Sequence, residues 1–177
     1  MHRFKNVGVV LNLERSNSDA LAHAKELANI NQATIYLLCV VPHNFKADQR
    51  RKVEKSLKDN VDFDFSLRFV TGKPVVEITR YSVESKLDMI LIEPERNASI
   101  INRFFQGPLT LSLMRKTPCA VWVVKRPVST TYQRIMIAVD PRDEEGEYIE
   151  SSLNEKLIQI GASYAKQQSA ECHLVTS

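Results

Sequence analysis

A chain of 177 residues, 44% hydrophobic and 25% charged, has the composition of a globular protein with a sizeable core, which excludes disorder throughout. With 5 Gly, 7 Pro and a formal net charge of +3, it is neither collagenous nor low-complexity, and its charge announces no nucleic-acid or anionic-membrane surface. No window approaches the roughly eighteen apolar residues that span a bilayer, and Met1 to Asn6 carries no signal-peptide apolar core, so a cytoplasmic location is expected.

The first apolar run, Val7 to Leu11, lacks period-two alternation, as a central parallel strand covered on both faces should. The polar stretch Asn12 to Ser18 supplies a loop and an N-cap, and Ala20, Leu21, Ala24, Leu27 and Ala28 recur at helical spacing up to Asn31. Ala33 to Val41 is a second strand, closed by Pro42, so the opening unit is strand, helix, parallel strand with a right-handed crossover. Lys46 to Asn60 reads as an exposed helix whose thin apolar stripe is Val53 and Leu57. Phe63, Phe65, Leu67 and Phe69 alternate with polar residues and predict a strand covered better on one face.

Gly72-Lys73-Pro74 turns the chain into a helix whose predicted apolar face is Val75, Val76, Ile78, Thr79 and Val83, and Met89 to Ile92 is the fourth strand. After a long polar loop, Leu109 to Lys116 is a short helix with a cationic last turn, stopped by Pro118, and Ala120 to Val124 is the fifth strand. Strand-helix alternation of this kind makes an α/β, doubly wound, mostly parallel five-stranded sheet the expected architecture.

Sliding the sequence on itself aligns Phe4 to Asn12 with Tyr132 to Asp140, and Ala33 to Val40 with Ala170 to Ser177. Between the second pair of strands, Leu153, Leu157, Ile160 and Tyr164 give an amphipathic helix opened by the capping box of Ser152 and Glu155. The expected organisation is a first domain at 1–126, a linker at 127–131 and an incomplete second copy at 132–177. Such a βαβ fragment buries too little apolar surface to stand alone, so it must pack on the first domain, be completed by another chain or belong to a longer protein, and truncation is the favoured expectation.

Chemistry-bearing motifs are sparse. Cys39, Cys119 and Cys172 lie in apolar stretches without metal-ligand spacing and read as buried reduced thiols. His23 and His43 have no accompanying nucleophile motif, and alternation across Phe63 makes Asp62 and Asp64 an outward face rather than a metal site. The basic residues between Lys46 and Lys58 are interspersed with acids and lack stacking aromatics, so no nucleic-acid partner is expected. Arg96, Arg103, Arg115 and Lys116 could meet an anion but read first as solvated charge, and Phe104 and Phe105 as packing beneath their loop. Neither a Walker A loop nor a nucleophile elbow is present, and no enzyme is expected.

The strand-one pattern, Leu37-Leu38-Cys39-Val40-Val41-Pro42, Met89-Ile90-Leu91-Ile92 and Leu113 to Val124 together resemble the universal stress protein family in its tandem-domain form. The resemblance implies an adenine nucleotide alpha hydrolase-like fold and a stress-response role. Members that bind ATP use an acid at the end of strand one, backbone of strand two, and a Gly-x2-Gly-x9-Gly-Ser/Thr loop after strand four. Its glycines let amide groups approach phosphate oxygens.

At the matching positions stand Asn12, Val40, Glu93, Arg96, Gly107 and Thr110, with Asp140 retaining the acid in the second copy. Glu93 and Arg96 replace the first two glycines and Pro108 removes a donor after Gly107, so a degenerate nucleotide loop is expected. The expectation is a non-catalytic binding protein without a cofactor, acting on a small-molecule ligand or through its surfaces. The alternative is ATP or AMP held by a rearranged loop. The resemblance also makes Val121, Trp122, Val123 and Val124 of the fifth strand the expected domain or homodimer contact.

Overall fold

A computed structural model describes residues 4–13, 19–93, 108–125, 131–140 and 152–176. The chain divides into two compact units, Phe4–Val128 and Ser129–Ser177. The first contains β1 (Asn6–Val10), α1 (Asp19–Asn31), β2 (Thr34–Val41), α2 (Ala47–Asn60), β3 (Phe65–Thr71), α3 (Pro74–Glu84), β4 (Met89–Ile92), α4 (Pro108–Lys116) and β5 (Ala120–Val123). Its strands form one parallel sheet in the order β3-β2-β1-β4-β5, the doubly wound arrangement expected from the alternation of elements.

The order follows from covalent connection and handedness. The chain winds outward from β1 through β2 to β3, then crosses to the other side of β1 for β4 and β5. Crossovers between parallel strands are right-handed as a rule, so reversing the direction of winding moves the helices to the opposite face. Pairing in register keeps Val7, Ile35 and Met89 on one face with Val9, Leu37, Leu91 and Trp122, and α1 lies against β1, β2 and β4. On the opposite face Leu38, Ile90 and Ile92 join Ile78 and Tyr81 of α3 and Leu113 of α4 in one buried cluster.

Buried on both sides, β1 and β4 read as unbroken apolar runs, and all four residues of β4 are buried. A Cβ at Gly8 would lie 2.6 Å from Leu87 Cδ1, so a larger residue there would need the Leu87 side chain to shift. Asp88, ahead of β4, accepts the backbone N–H groups of Lys5 and Asn6 at 2.7 and 2.8 Å, which fixes where β4 begins against β1.

Several expectations are corrected in detail. The third strand begins at Phe65, where pairing with Ile35 starts, and Phe63 precedes it. In α3 the buried stripe runs through Ile78, Tyr81 and Ser82, whereas Val76 and Val83 are 54% and 59% exposed. Those two valines lie seven residues apart on one stripe, rotated away from the face that Ile78 fixes on the sheet. Gly72 has φ +143°, a backbone conformation open to glycine, and its absent Cβ leaves room for the Glu77 carboxylate. In α2 only Val53 and Leu57 escape full exposure, as the thin stripe predicted.

The second unit contains β6 (Arg134–Val139), α5 (Ser152–Gln168) and β7 (Glu171–Thr176), with β6 and β7 paired in parallel. Its register is that of the opening pair: Asn6 faces Thr34 in β1 and β2, and their aligned counterparts Arg134 and Glu171 face each other here. The helix-ending residues correspond too, Gln32 and Ser169 both having φ 52°. Ile137 and Val139 are buried on the side where Gly161 of α5 backs onto Ile137.

That helix covers less than its sequence pattern predicts. Leu153 and Leu157 are exposed, as is every residue of β7, because α5 rests over β6 through its C-terminal half. Cys172 is therefore exposed rather than buried, Cys119 is half-buried, and only Cys39 is fully enclosed. Burial alone pushes the Cys39 thiol up to about 12. The side chain of Ser152 lies outside the described residues, and Glu155 instead accepts from Gln159 Nε2 at 2.9 Å.

Candidate functional site

Open α/β sheets offer a binding position at the carboxyl ends of the strands where winding reverses. In the first unit this position lies between β1 and β4. β1 pairs on past its last residue, Leu11 N–H donating to Leu38 at 2.9 Å, and Asn12 follows as an exposed residue at the rim. β4 ends at Ile92 and Glu93 follows, half-buried.

Strand alternation decides where Glu93 points. Leu91 shares a face with Val9, the face covered by α1, and Glu93 is two residues further along. Its carboxylate Oε1 accepts the backbone N–H of Ala20 in the first turn of α1, at 2.9 Å. A side chain at the end of β4 thus satisfies one of the donors that every helix start leaves without an intrahelical partner. An N-cap was expected from residues 12–18, of which 14–18 lie outside the described residues; the Glu93 contact reaches the helix from across the sheet.

The predicted pocket residues fall on several elements. Val40 is half-buried against the cluster of Leu38, Ile90 and Leu113, on the α3 and α4 face. Thr110, in α4, is buried. Glu93 belongs to the α1 face, and Asp140 to the second unit, where its carbonyl accepts from Asn154 Nδ2. Arg96 and Gly107 lie outside the described residues, as do Arg103, Phe104 and Phe105.

Sequence reasoning missed a second feature on the α1 face. His23, set aside in the sequence for want of a nucleophile motif, is buried with 1% exposure, and its ring lies 5.2 Å from that of Trp122 on β5. Its position one turn after Ala20 on the apolar stripe of α1 was the available signal. Burial pushes the imidazole below its ordinary value, against the opposing fields of Glu26 and Asp19. Trp122 therefore packs under α1, while Val121 and Val123 point to the other face and Val124 is buried; β5 is the edge of the sheet among the described residues. Asp62 and Asp64 are exposed, and a hydrogen bond from Lys25 holds the Asp62 carboxyl below its usual range. Among the described residues no three His, Cys, Asp or Glu side chains gather in a way that could hold a metal ion.

This architecture and its order reversal have known counterparts. The chain is 29% identical over 108 residues to universal stress protein E of Photorhabdus laumondii, the match covering 60% of this chain and 33% of that protein. The chain is thus similar in sequence to a universal stress protein and shares the fold of solved universal stress proteins. It spans about a third of the length of that curated relative. No protein-family model matches it.

Solved structures place the fold more firmly than the sequence similarity does. A functionally unknown protein from Pseudomonas aeruginosa PAO1 superposes with a TM-score of 0.76 at 19% identity, over 98% of this chain and 60% of that one. The universal stress protein from Archaeoglobus fulgidus, solved in complex with dAMP, gives a TM-score of 0.52 at 16% identity, over 70% of this chain and 100% of that one. No helix among the described residues is long and apolar enough to cross a membrane.

Proposed function

We propose that this chain is a non-catalytic, cytoplasmic universal stress protein that holds a small adenine nucleoside at the carboxyl ends of β1 and β4, without a cradle for a chain of phosphates. The observation carrying this reading is the bridge from Glu93 to Ala20, which sets a carboxylate at the reversal point of the sheet. An acidic group there disfavours phosphate oxygens, and Pro108 offers no backbone N–H at the start of α4. That a related fold is described in complex with dAMP supports adenine as the ligand class.

The shared register of the opening strand pairs and their matching helix ends support reading the second unit as a repeat of the first. The open edge of β5 is the proposed domain or homodimer contact, through Val121 to Val124. No nucleic-acid partner forms part of this reading.

Calorimetric titration of the purified chain with adenosine, AMP and ATP with magnesium tests it. Saturable adenosine binding, weaker AMP binding and no release of inorganic phosphate from ATP are expected. Binding of ATP more tightly than adenosine, or its turnover, would instead establish the nucleotide-holding alternative with a rearranged loop.

A further inference from the structure

The second unit has an open strand edge. In the first unit β1 lies between β2 and β4, and the Asn6 carbonyl accepts from Asp88 N–H on the β4 side at 2.9 Å. β6 stands to β7 as β1 does to β2, but among the described residues no strand takes the place of β4. The Gln133 carbonyl accepts from Glu171 N–H at 2.9 Å, on the β7 side. Alternate residues of a parallel strand address the same neighbour, so Ile135, Ile137 and Val139 also bond toward β7. Arg134, Met136 and Ala138 turn their N–H and C=O groups to the open edge. Their side chains are exposed too, Met136 at 72%, and Asp140 follows in step with them, exposed.

This edge is complementary to itself. Turned antiparallel about a two-fold axis at Ile137, residues 134–140 set Arg134 opposite Asp140 of a second copy, Met136 opposite Ala138, and Ile137 opposite its own counterpart. That register brings edge-facing residues together, so Met136 and Ala138 exchange backbone hydrogen bonds, twice by symmetry, while an opposite-charge pair stands at each end. Sliding by two residues in either direction keeps the bonding phase but parts Arg134 from Asp140, and sliding by one turns the bonding groups away from each other. Within its own chain Arg134 meets Glu171 at 3.5 Å and Asp140 also has partners; the pairing does not depend on either group being unpaired.

We propose that the free edge of β6 is a self-association surface, on which β6 of one chain pairs antiparallel with β6 of a second copy and joins the two small sheets into one, in the order β7-β6-β6-β7. Backbone hydrogen bonds supply the contact and the Arg134 and Asp140 pairs set its register. This surface is distinct from the β5 edge.

Charge reversal tests the pairing. Arg134→Asp sets acid opposite acid at both ends of the paired strands, and Asp140→Arg sets base opposite base; mixing the two variants restores an Arg and Asp pair at each end. Sedimentation velocity of the purified chain at low ionic strength should show a concentration-dependent dimer at micromolar concentrations. Each variant alone should associate at least about tenfold more weakly, and an equimolar mixture should recover to within about threefold of the wild type. A wild-type chain that stays monomeric into the submillimolar range would overturn the proposal. So would a dimer indifferent to both variants, a result that would move self-association to another surface such as β5.

A second arm reads the register directly. In a Cys172→Ser background, which removes the exposed thiol, Met136→Cys mixed with Ala138→Cys should form disulfide-linked dimers under mild oxidation faster than either variant alone, because only the mixed pair stands directly opposite. Equal rates in the mixture and in each variant alone would refute the antiparallel register. This comparison also decides the matter if a charge-reversed variant fails to fold.

Discussion

Leu113 offers the most direct test of how α4 is held. It is 0% exposed and packs in the cluster with Leu38, Ile78, Tyr81, Ile90 and Ile92, whereas Leu111 in the same helix is 41% exposed. Replacing Leu113 by Ala deletes three carbons, worth about 2.4 kcal/mol at roughly 0.8 kcal/mol each in transfer alone. Incomplete collapse around the missing atoms raises the expected loss to about 3–4 kcal/mol. Leu111→Ala, made in the same helix with the same change in propensity, should cost less than about 1 kcal/mol.

Urea unfolding followed by tryptophan fluorescence measures both variants. The chain has 1 Trp, Trp122, so the signal reports on the unit containing α4 and β5. A midpoint lowered by about 1–2 M for Leu113→Ala, with slope unchanged, is the expected result for a small domain. If the two variants lost equal stability, or Leu113→Ala lost less than about 1 kcal/mol, the docking of α4 through this face would be refuted.

Three further outcomes follow from individual side chains. Burial lowers the folded-state pKa of His23, so the unfolded chain takes up the proton first; stability from this group is full above pH 6.5 and falls as the pH drops below it. His23→Gln should flatten that dependence in urea midpoints between pH 7.5 and 5.5, and an unaltered slope would contradict the assignment. Thiol titration of the native chain with an aromatic disulfide should modify exposed Cys172 first, Cys119 slowly and Cys39 only on unfolding; rapid labelling of Cys39 would contradict its burial. Gly72→Ala forces an L-residue to φ +143° with its Cβ 3.0 Å from Glu77 Oε1, and should cost about 1–3 kcal/mol in the same urea assay.

Much of the fold was legible because its signals are local. Unbroken apolar runs at Val7 to Leu11 and Met89 to Ile92 predict strands buried on both faces, and the sheet order confirms them as neighbours at its centre. The exposed helix at Ala47–Asn60 likewise follows from its charge density and its two-residue stripe. Where several faces compete, local pattern was insufficient. Val76 and Val83 are as apolar as Val75, and only the direction in which α3 crosses the sheet turns them outward.

The candidate site divides in the same way. The family resemblance placed Glu93 and Pro108 at phosphate-loop positions, where charge and a missing N–H led to the expectation of a poor fit. It could not give Glu93 its partner, which lies 73 positions away. Likewise the burial of His23 against Trp122 and the exposure of Cys172 depend on which helix covers which strand. The sequence by itself determined the elements, their parallel winding and the residue types at the reversal point, because hydrophobic periodicity and backbone chemistry act over a few residues. Tertiary structure alone decided which carboxylate meets which helix start and which apolar side chains find cover, because those outcomes arise only when distant segments converge on one sheet.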